Sequence, residues 1–327
     1  MTVNVKITSI CLLIASLAFS QKKEDYKPYT IESAFTSLKK QYPSITPIKP
    51  LDSKTITFKE NITYKKTKET NLKLDAYLPK EKGKKTYPTV LLIHGGGWLT
   101  GSKENQRIMA QHLASKGYVA ITASYRLGFE AVYPAGVIDL KDAIRWMRKH
   151  SKKYHINPDK IAVLGASAGA QLAGLLAVTP NASLYKPDSK ISDAVQAYVN
   201  VDGIVSFIHP EAAAESKSGK ASMAGIWLDG EKEENFKNWK EASPLEYVGK
   251  HTPPTLFINS AQPRFHAGRD DMIDILNKYD IYSEVHTIPD SPHSFWMANP
   301  WFETTLNYTV NFLDKVLKDE TSLLKYD

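Results

Sequence analysis

Cysteine is almost missing from this 327-residue chain: Cys11 is the only one, and it falls inside an apolar run at the N-terminus. A lone cysteine excludes an internal disulfide, and loss of the segment that carries it would exclude thiol chemistry and thiolate metal sites as well. The residues before it, "TSI", do not form a lipobox, so no lipid anchor is expected. Long apolar runs are equally scarce. The one at the start, "ITSICLLIASLAF", follows Lys6 and ends at Ala18-Phe19-Ser20, with small residues at both ends of a cleavage tripeptide before Gln21. This pattern predicts a secretory signal peptide over residues 1–20 and a secreted or periplasmic protein. No later stretch approaches the length of a membrane span, so no membrane association is expected. The chain also lacks H-E-x-x-H or any comparable cluster, which argues against a metal or other cofactor. Charge is only mildly unbalanced: 42 basic against 35 acidic residues give +7, and losing Lys6 leaves +6. The excess sits in Lys-rich patches such as "KEKGKK" with no interleaved aromatics, which reads as solvated surface rather than a nucleic-acid interface.

What is present has the composition of a globular protein, 42% hydrophobic and 24% charged, in a length that fits one large domain. Residues 21–54 are polar with scattered prolines and read as a leader that wraps the domain or stays mobile. From residue 55 to 327 a single rhythm holds. "TITFKENITY" and "LKLDAYLP" alternate apolar and polar residues, as an antiparallel edge pair does. "TVLLIHG", "YVAITASYR", "KIAVLGAS", "AVQAYVNVDG", "TLFINSA" and "SEVHTIP" are nearly continuous apolar runs, the mark of strands buried on both faces. Helical periodicity separates them, in "NQRIMAQHLASKGY", "VIDLKDAIRWMRKHSKKY", "DDMIDILNKY" and "TLNYTVNFLDKVLKD". The prediction is an α/β domain with a mostly parallel eight-stranded sheet and helices on both faces. The polar stretch 204–252 is expected to lay short helices over the sheet edge.

Two glycine-bearing motifs carry the chemistry. "HGGGW" ends one buried run, and about seventy residues later "GASAGA" places Ser167 in a G-x-S-x-G between a strand and a helix. A serine on such a turn needs small neighbours, because the backbone is strained and the hydroxyl is held outward beside a helix N-terminus. The amide of Ala168 then supplies one donor to a developing oxyanion, and Gly96 and Gly97 present amides that no side chain obstructs. Either motif alone is consistent with a structural turn. A general base must follow, and among nine histidines His293 in "PDSPHSFW" lies just past the last predicted strand. His286 falls within that strand, and His94 reads as an organiser of the glycine loop. For the acid that orients the base, two residues remain: Asp202, at the end of "AYVNVDG", and Asp270, in "RFHAGRDD". Asp202 is favoured because a strand end sits beside the nucleophile turn, whereas Asp270 requires its loop to fold back.

Together "HGGGW", "GASAGA", "YPAGVIDLKDAIRWMRKH" and "EASPLEYV…TPPTLFI" resemble the hormone-sensitive-lipase-like α/β-hydrolases, most closely their secreted bacterial carbohydrate-esterase branch of feruloyl- and acetyl-esterase-like proteins. The resemblance spans about residues 55–318. It implies ester hydrolysis through an acyl-enzyme, with Ser167 and His293 in the corresponding roles. One departure is plain: where that family commonly reads HG-x-x-D, this chain continues "TLFINS" with Ala261-Gln262-Pro263-Arg264-Phe265. The resemblance and the expected export point to acetyl or hydroxycinnamoyl groups on plant or algal polysaccharides, acted on by a monomer. Trp98, Arg264, His266 and Trp296 are candidate substrate contacts. The aromatics Phe295, Trp296, Trp301 and Phe302 are candidate sugar platforms or core anchors. Arg264, His266 and Arg269 form a candidate carboxylate clamp if they face the cleft. Three other readings stand beside this one: a small-ester carboxylesterase, a single-domain peptidase of the same fold, and a non-catalytic carbohydrate-binding scaffold.

Overall fold

The computed structural model describes residues 26–318 except 53, 69, 81–85, 186–188 and 213–220. The expected signal segment and Cys11 lie outside the described residues. Eight strands form the sheet: β2 (Ile56–Lys66), β3 (Asn71–Pro79), β4 (Tyr87–Ile93), β5 (Val119–Ala123), β6 (Ile156–Ala166), β7 (Ala197–Val201), β8 (Thr255–Asn259) and β9 (Ser283–Thr287). Their order is β2-β3-β5-β4-β6-β7-β8-β9. The first two pairings are antiparallel and all the rest parallel. Of the two alternating segments β2 forms one edge and β3 lies inside it, and the continuous runs fill the interior except "SEVHTIP": β9 is the other edge, with no residue fully buried, because only β8 pairs with it.

The pleat decides where the core lies. Val90 and Leu92 enter one apolar cluster and Leu91 and Ile93 the other, all four fully buried, because successive strand residues point to opposite faces. Helices α2 (Arg107–Ser115) and α8 (Trp301–Leu313) cover the first face through Ile108, Leu113, Phe302 and Phe312. Helices α3 (Ala135–Lys149), α4 (Ala168–Val178) and α7 (Arg269–Lys278) cover the second through Leu140, Ile144, Leu172, Leu175 and Met272. α4 is buried along its whole length, which explains why "AGAQLAGLLAV" carries no charge. The stretch 204–252 contains the short helices α5 (Met223–Trp227) and α6 (Phe236–Glu241).

The leader wraps the domain over its described part. Helix α1 (Ile31–Gln41) starts in a reciprocal capping box between Thr30 and Ser33. Beyond it β1 (Thr46–Pro47) pairs with β10 (Ala298–Asn299), and Ile45 and Leu38 pack on Ala298. Two further bonds tie this segment to the domain: Tyr29 Oη lies 2.7 Å from Ser294 Oγ, and Asn105 donates to the Tyr29 carbonyl. Burial pushes the Tyr29 phenol up to about 12, so it is neutral and able to donate. A segment that looked peripheral thus braces the loop that begins at His293.

Candidate active site

Ser167 stands where β6 becomes α4, with φ 54° and ψ −125°. That is a left-handed conformation rarely taken by a residue with a side chain, and it costs on the order of 1–3 kcal/mol unless the surroundings enforce it. They do so by close approach. A Cβ on Gly165 would fall 2.0 Å from the Gly169 carbonyl oxygen, so only glycine permits the turn. Sheet register then places Asp202. Ala166 pairs with Val201, so the next residues along each strand, Ser167 and Asp202, are neighbours at the carboxyl edge. The Ser167 amide donates to the Val201 carbonyl, which locks the turn to the strand end.

His293 arrives from the loop after β9 and bridges the two. Its Nε2 is 2.8 Å from Ser167 Oγ, and its Nδ1 is 2.6 Å from Asp202 Oδ2. Asp202 is fully buried, and its other oxygen accepts from the Ser260 amide at 2.8 Å. A carboxylate held this way on both oxygens has one orientation available. It requires the His293 tautomer with the proton on Nδ1, which leaves Nε2 as an acceptor for the serine hydroxyl.

The glycine loop abuts the serine. A Cβ on Gly95 would lie 3.0 Å from the Ser167 Cβ and 2.6 Å from the Ala166 carbonyl oxygen. Gly97 adopts φ +59°, and a Cβ there would meet the Met223 thioether at 2.4–2.5 Å, so Met223 of α5 rests on the bare backbone. Neither Gly96 nor Gly97 donates its amide to an acceptor among the described residues, and Ala168, as the first residue of α4, has no helical acceptor. The loop is anchored from below. His94 is buried, its Nδ1 is 2.8 Å from the Gly95 carbonyl, and its ring stacks on Tyr125. Burial lowers its pKa to about 4, so it is neutral and serves the loop rather than proton transfer. Lys103 closes the far end in a buried ion pair with Asp75 at 2.7 Å.

Several expected contacts are placed elsewhere. Asp270 does not reach the site: its side chain is 77% exposed and pairs with Arg269 at 2.8 Å, and that bond first of all lowers its pKa. A first-turn carboxylate on an exposed helix start has no reason to fold inward when an arginine adjoins it. Arg269 is turned to Asp270 and to Asn259 Oδ1, which removes it from a substrate clamp. Trp296 is only 4% exposed and meets the His293 ring edge-on, so it packs behind the histidine instead of offering a face to sugar. Phe295 and Phe302 are buried as well, and Trp301 packs edge-on against Tyr42 of the leader. Arg264 is exposed, with its guanidinium 4.3 Å over the Phe265 ring, and His266 is half-buried, its pKa lowered by burial and then by Arg269. Trp98 is half-buried, stacked on Trp227 at 5.3 Å, and donates to Gln171 Oε1.

Sequence reading missed two contributors. Phe265 lies flat on the His293 imidazole, with ring centroids 3.5 Å apart and planes 9° from parallel. The Ser260 amide orients Asp202. Neither carries a motif; the only signal was that the loop after "TLFINS" has an aromatic and no acid. Among the described residues no group of three or more His, Cys, Asp or Glu side chains is disposed to hold a metal ion.

Known proteins share both the sequence pattern and the architecture. The BD-FAE family model matches residues 74–275. The "Probable carboxylic ester hydrolase LipM" of Mycobacterium tuberculosis is 27% identical over 209 residues, which are 63% of this chain and 47% of LipM. The chain spans about half the length of this and other curated mycobacterial relatives. Among solved structures, esterase Est2 of Thermogutta terrifontis aligns with a TM-score of 0.64 at 25% identity, covering 82% of this chain and 94% of Est2. A truncated carbohydrate esterase from gut microbiota shares the fold with a TM-score of 0.68 at 21% identity, covering 81% and 99%. With the family model spanning more than half of its residues, this chain belongs to the BD-FAE family of hormone-sensitive-lipase-like α/β-hydrolases.

Proposed function

We propose that this protein is a serine carboxylic-ester hydrolase that removes acetyl or hydroxycinnamoyl groups from plant or algal polysaccharides outside the cytoplasm. The observation that carries the ester chemistry is the continuous chain Ser167–His293–Asp202, with hydrogen bonds of 2.8 and 2.6 Å ending on a buried carboxylate. In this reading His293 Nε2 takes the hydroxyl proton as Ser167 Oγ attacks the ester carbonyl. The oxyanion meets the amides of Ala168, Gly96 and Gly97, each donor being worth ~3 kcal/mol of barrier. The imidazolium, stabilised by Asp202, gives its proton to the sugar oxygen as the ester C–O bond breaks, which releases the sugar hydroxyl, and water repeats the sequence on the acyl-enzyme.

Family membership supports the carbohydrate side, as does the likeness in fold to a carbohydrate esterase. Arg264 is exposed over Phe265, the ring that lies on His293, and is suited to an acidic sugar. The acyl side is framed by Met223 and Trp98, with Phe207 and Trp227 behind them, an apolar wall suited to a short or aromatic acyl group. The same wall also suits simple short-chain esters, and Est2, solved with propionate bound, keeps the small-ester carboxylesterase as a second reading. Two measurements test the proposal. A serine-reactive phosphonate should add at Ser167 and abolish turnover of p-nitrophenyl acetate; labelling elsewhere, or none with activity intact, removes the mechanism. Acetate or ferulate release from a panel of polysaccharides should exceed release from simple alkyl esters in kcat/KM, and the reverse order favours the second reading.

A further inference from the structure

The loop after β8 carries no acid, yet it touches both the acid and the base of the site. The Ser260 amide holds Asp202, and the Ala261 amide donates to the carbonyl of Ser291, two residues before His293. The Ser260 hydroxyl accepts from the Gln262 amide at 3.2 Å, and the Phe265 amide donates back to the Gln262 carbonyl, which closes the turn. That turn, Pro263–His266, lays the Phe265 ring on the imidazole, with centroids 3.5 Å apart and planes 9° from parallel. With one face of Phe265 filled by His293, the Arg264 guanidinium, 4.3 Å from the phenyl centroid, lies over the other.

The imidazole needs such a support. Its two hydrogen bonds, to Asp202 and to Ser167, leave the ring from nearly opposite sides, so they resist rotation about the line that joins them only weakly. Trp296 meets the ring edge-on at 5.2 Å, and among the described residues Phe265 is the aromatic side chain that lies against its plane. The bond at Nε2 also disappears during the reaction. Once Ser167 Oγ carries the acyl group it has no proton to give, and Nε2 faces an ester oxygen that cannot donate. Asp202 and the stack then hold the ring while Nε2 takes a proton from water, whose oxygen bonds to the acyl carbon. Nε2 returns the proton to Ser167 Oγ as the acyl C–O bond breaks. A stack uses no proton, so it persists through each of these steps. Orientation matters here, because a misplacement of about 1 Å can cost on the order of a hundredfold in rate.

We propose that Phe265 is a positioning residue that keeps Nε2 in line through the acyl-enzyme, so that its loss slows deacylation more than acylation. The inference rests on the acyl-enzyme reading of Ser167, and the test separates the two. Stopped-flow hydrolysis of p-nitrophenyl acetate gives the deacylation constant from burst rate and amplitude, while kcat/KM reports acylation alone. Phe265→Leu keeps apolar bulk and removes the flat ring. Its deacylation constant should fall about tenfold or more and its kcat/KM by less than about threefold, so KM falls with kcat and acetyl-enzyme accumulates in quenched-flow mass spectra. Phe265→Met, the second variant without a ring, should behave alike. Phe265→Tyr, which restores the ring, should bring both constants back to within about twofold of wild type. A role confined to packing moves the two constants together. Equal losses in both, a deacylation constant unchanged in Phe265→Leu, or Phe265→Tyr as slow as Phe265→Leu therefore overturn the proposal. If no chain forms an acetyl adduct and a serine-reactive phosphonate leaves Ser167 unlabelled, the acyl-enzyme reading falls and takes this one with it.

Discussion

Replacing Asp202 by asparagine keeps the side-chain volume and removes one charge, and the surrounding bonds dictate the consequence. One oxygen of Asp202 accepts from the Ser260 amide and the other from His293 Nδ1. Asparagine has one acceptor and one donor group. If its oxygen faces Ser260, its NH₂ faces Nδ1, and His293 is driven to the tautomer that carries its proton on Nε2. Nε2 then donates toward Ser167 and no longer accepts the hydroxyl proton. If the amide flips, two N–H groups oppose each other at Ser260 in a place with no exposure to water. The first arrangement is preferred, because an opposed buried donor pair costs about 1–3 kcal/mol. The wrong tautomer costs roughly 10⁴ in kcat in serine hydrolases where it has been imposed, about 5 kcal/mol of barrier. Asp270→Asn removes only an exposed pair with Arg269, of the kind worth about 0–1 kcal/mol, and should keep kcat within twofold. The assay is initial-rate hydrolysis of p-nitrophenyl acetate by both variants, with Ser167→Ala as the background and thermal unfolding as the check on folding. Asp202→Asn retaining more than a tenth of wild-type kcat, or Asp270→Asn losing a thousandfold, would refute the assignment.

Gly97→Ala must hold φ near +59° and displace the Met223 thioether, so kcat should fall at least tenfold; the double variant with Met223→Ala should recover part of the loss, and equal rates in the two would show that Met223 is not what Gly97 accommodates. His94 is held near 4 when folded and titrates near 6.5 when unfolded, so the unfolded chain binds the extra proton. Its contribution is complete above pH 6.5 and is lost as pH falls from 6.5 toward 4, by roughly 3 kcal/mol in all; urea midpoints of His94→Gln should show a flatter dependence across that window, and an unchanged slope contradicts the reading. Asp193 is fully buried against Lys141 and Arg145, so Asp193→Ala strands buried positive charge and should destabilise by about 3–5 kcal/mol. Urea unfolding measures it, and a loss below 1 kcal/mol would show that water reaches the pair.

The strands and helices that build the sheet were legible because each must bury a face, and burial imprints a period. "TVLLIHG" could only be an interior strand, and "TITFKENITY" only an edge. Ser167 and His293 were legible because a strained turn and a position after the last strand leave local marks, in glycine spacing and in order along the chain. The acid left no such mark. Asp202 and Asp270 are both carboxylates near strand ends, and what separates them is the register of β6 against β7 and an arginine that occupies one of them. Composition likewise could not tell Trp296, packed behind the histidine, from an aromatic open to a ligand, nor reveal that Phe265 covers the imidazole. The leader showed no strong period, because α1 and β1 are short and draw their stability from contacts with Ala298 and Ser294, far along the chain. Period and motif record what a residue needs from its near neighbours in sequence; which distant groups meet, and which face water, is decided when the sheet closes and the loops pack over its edge.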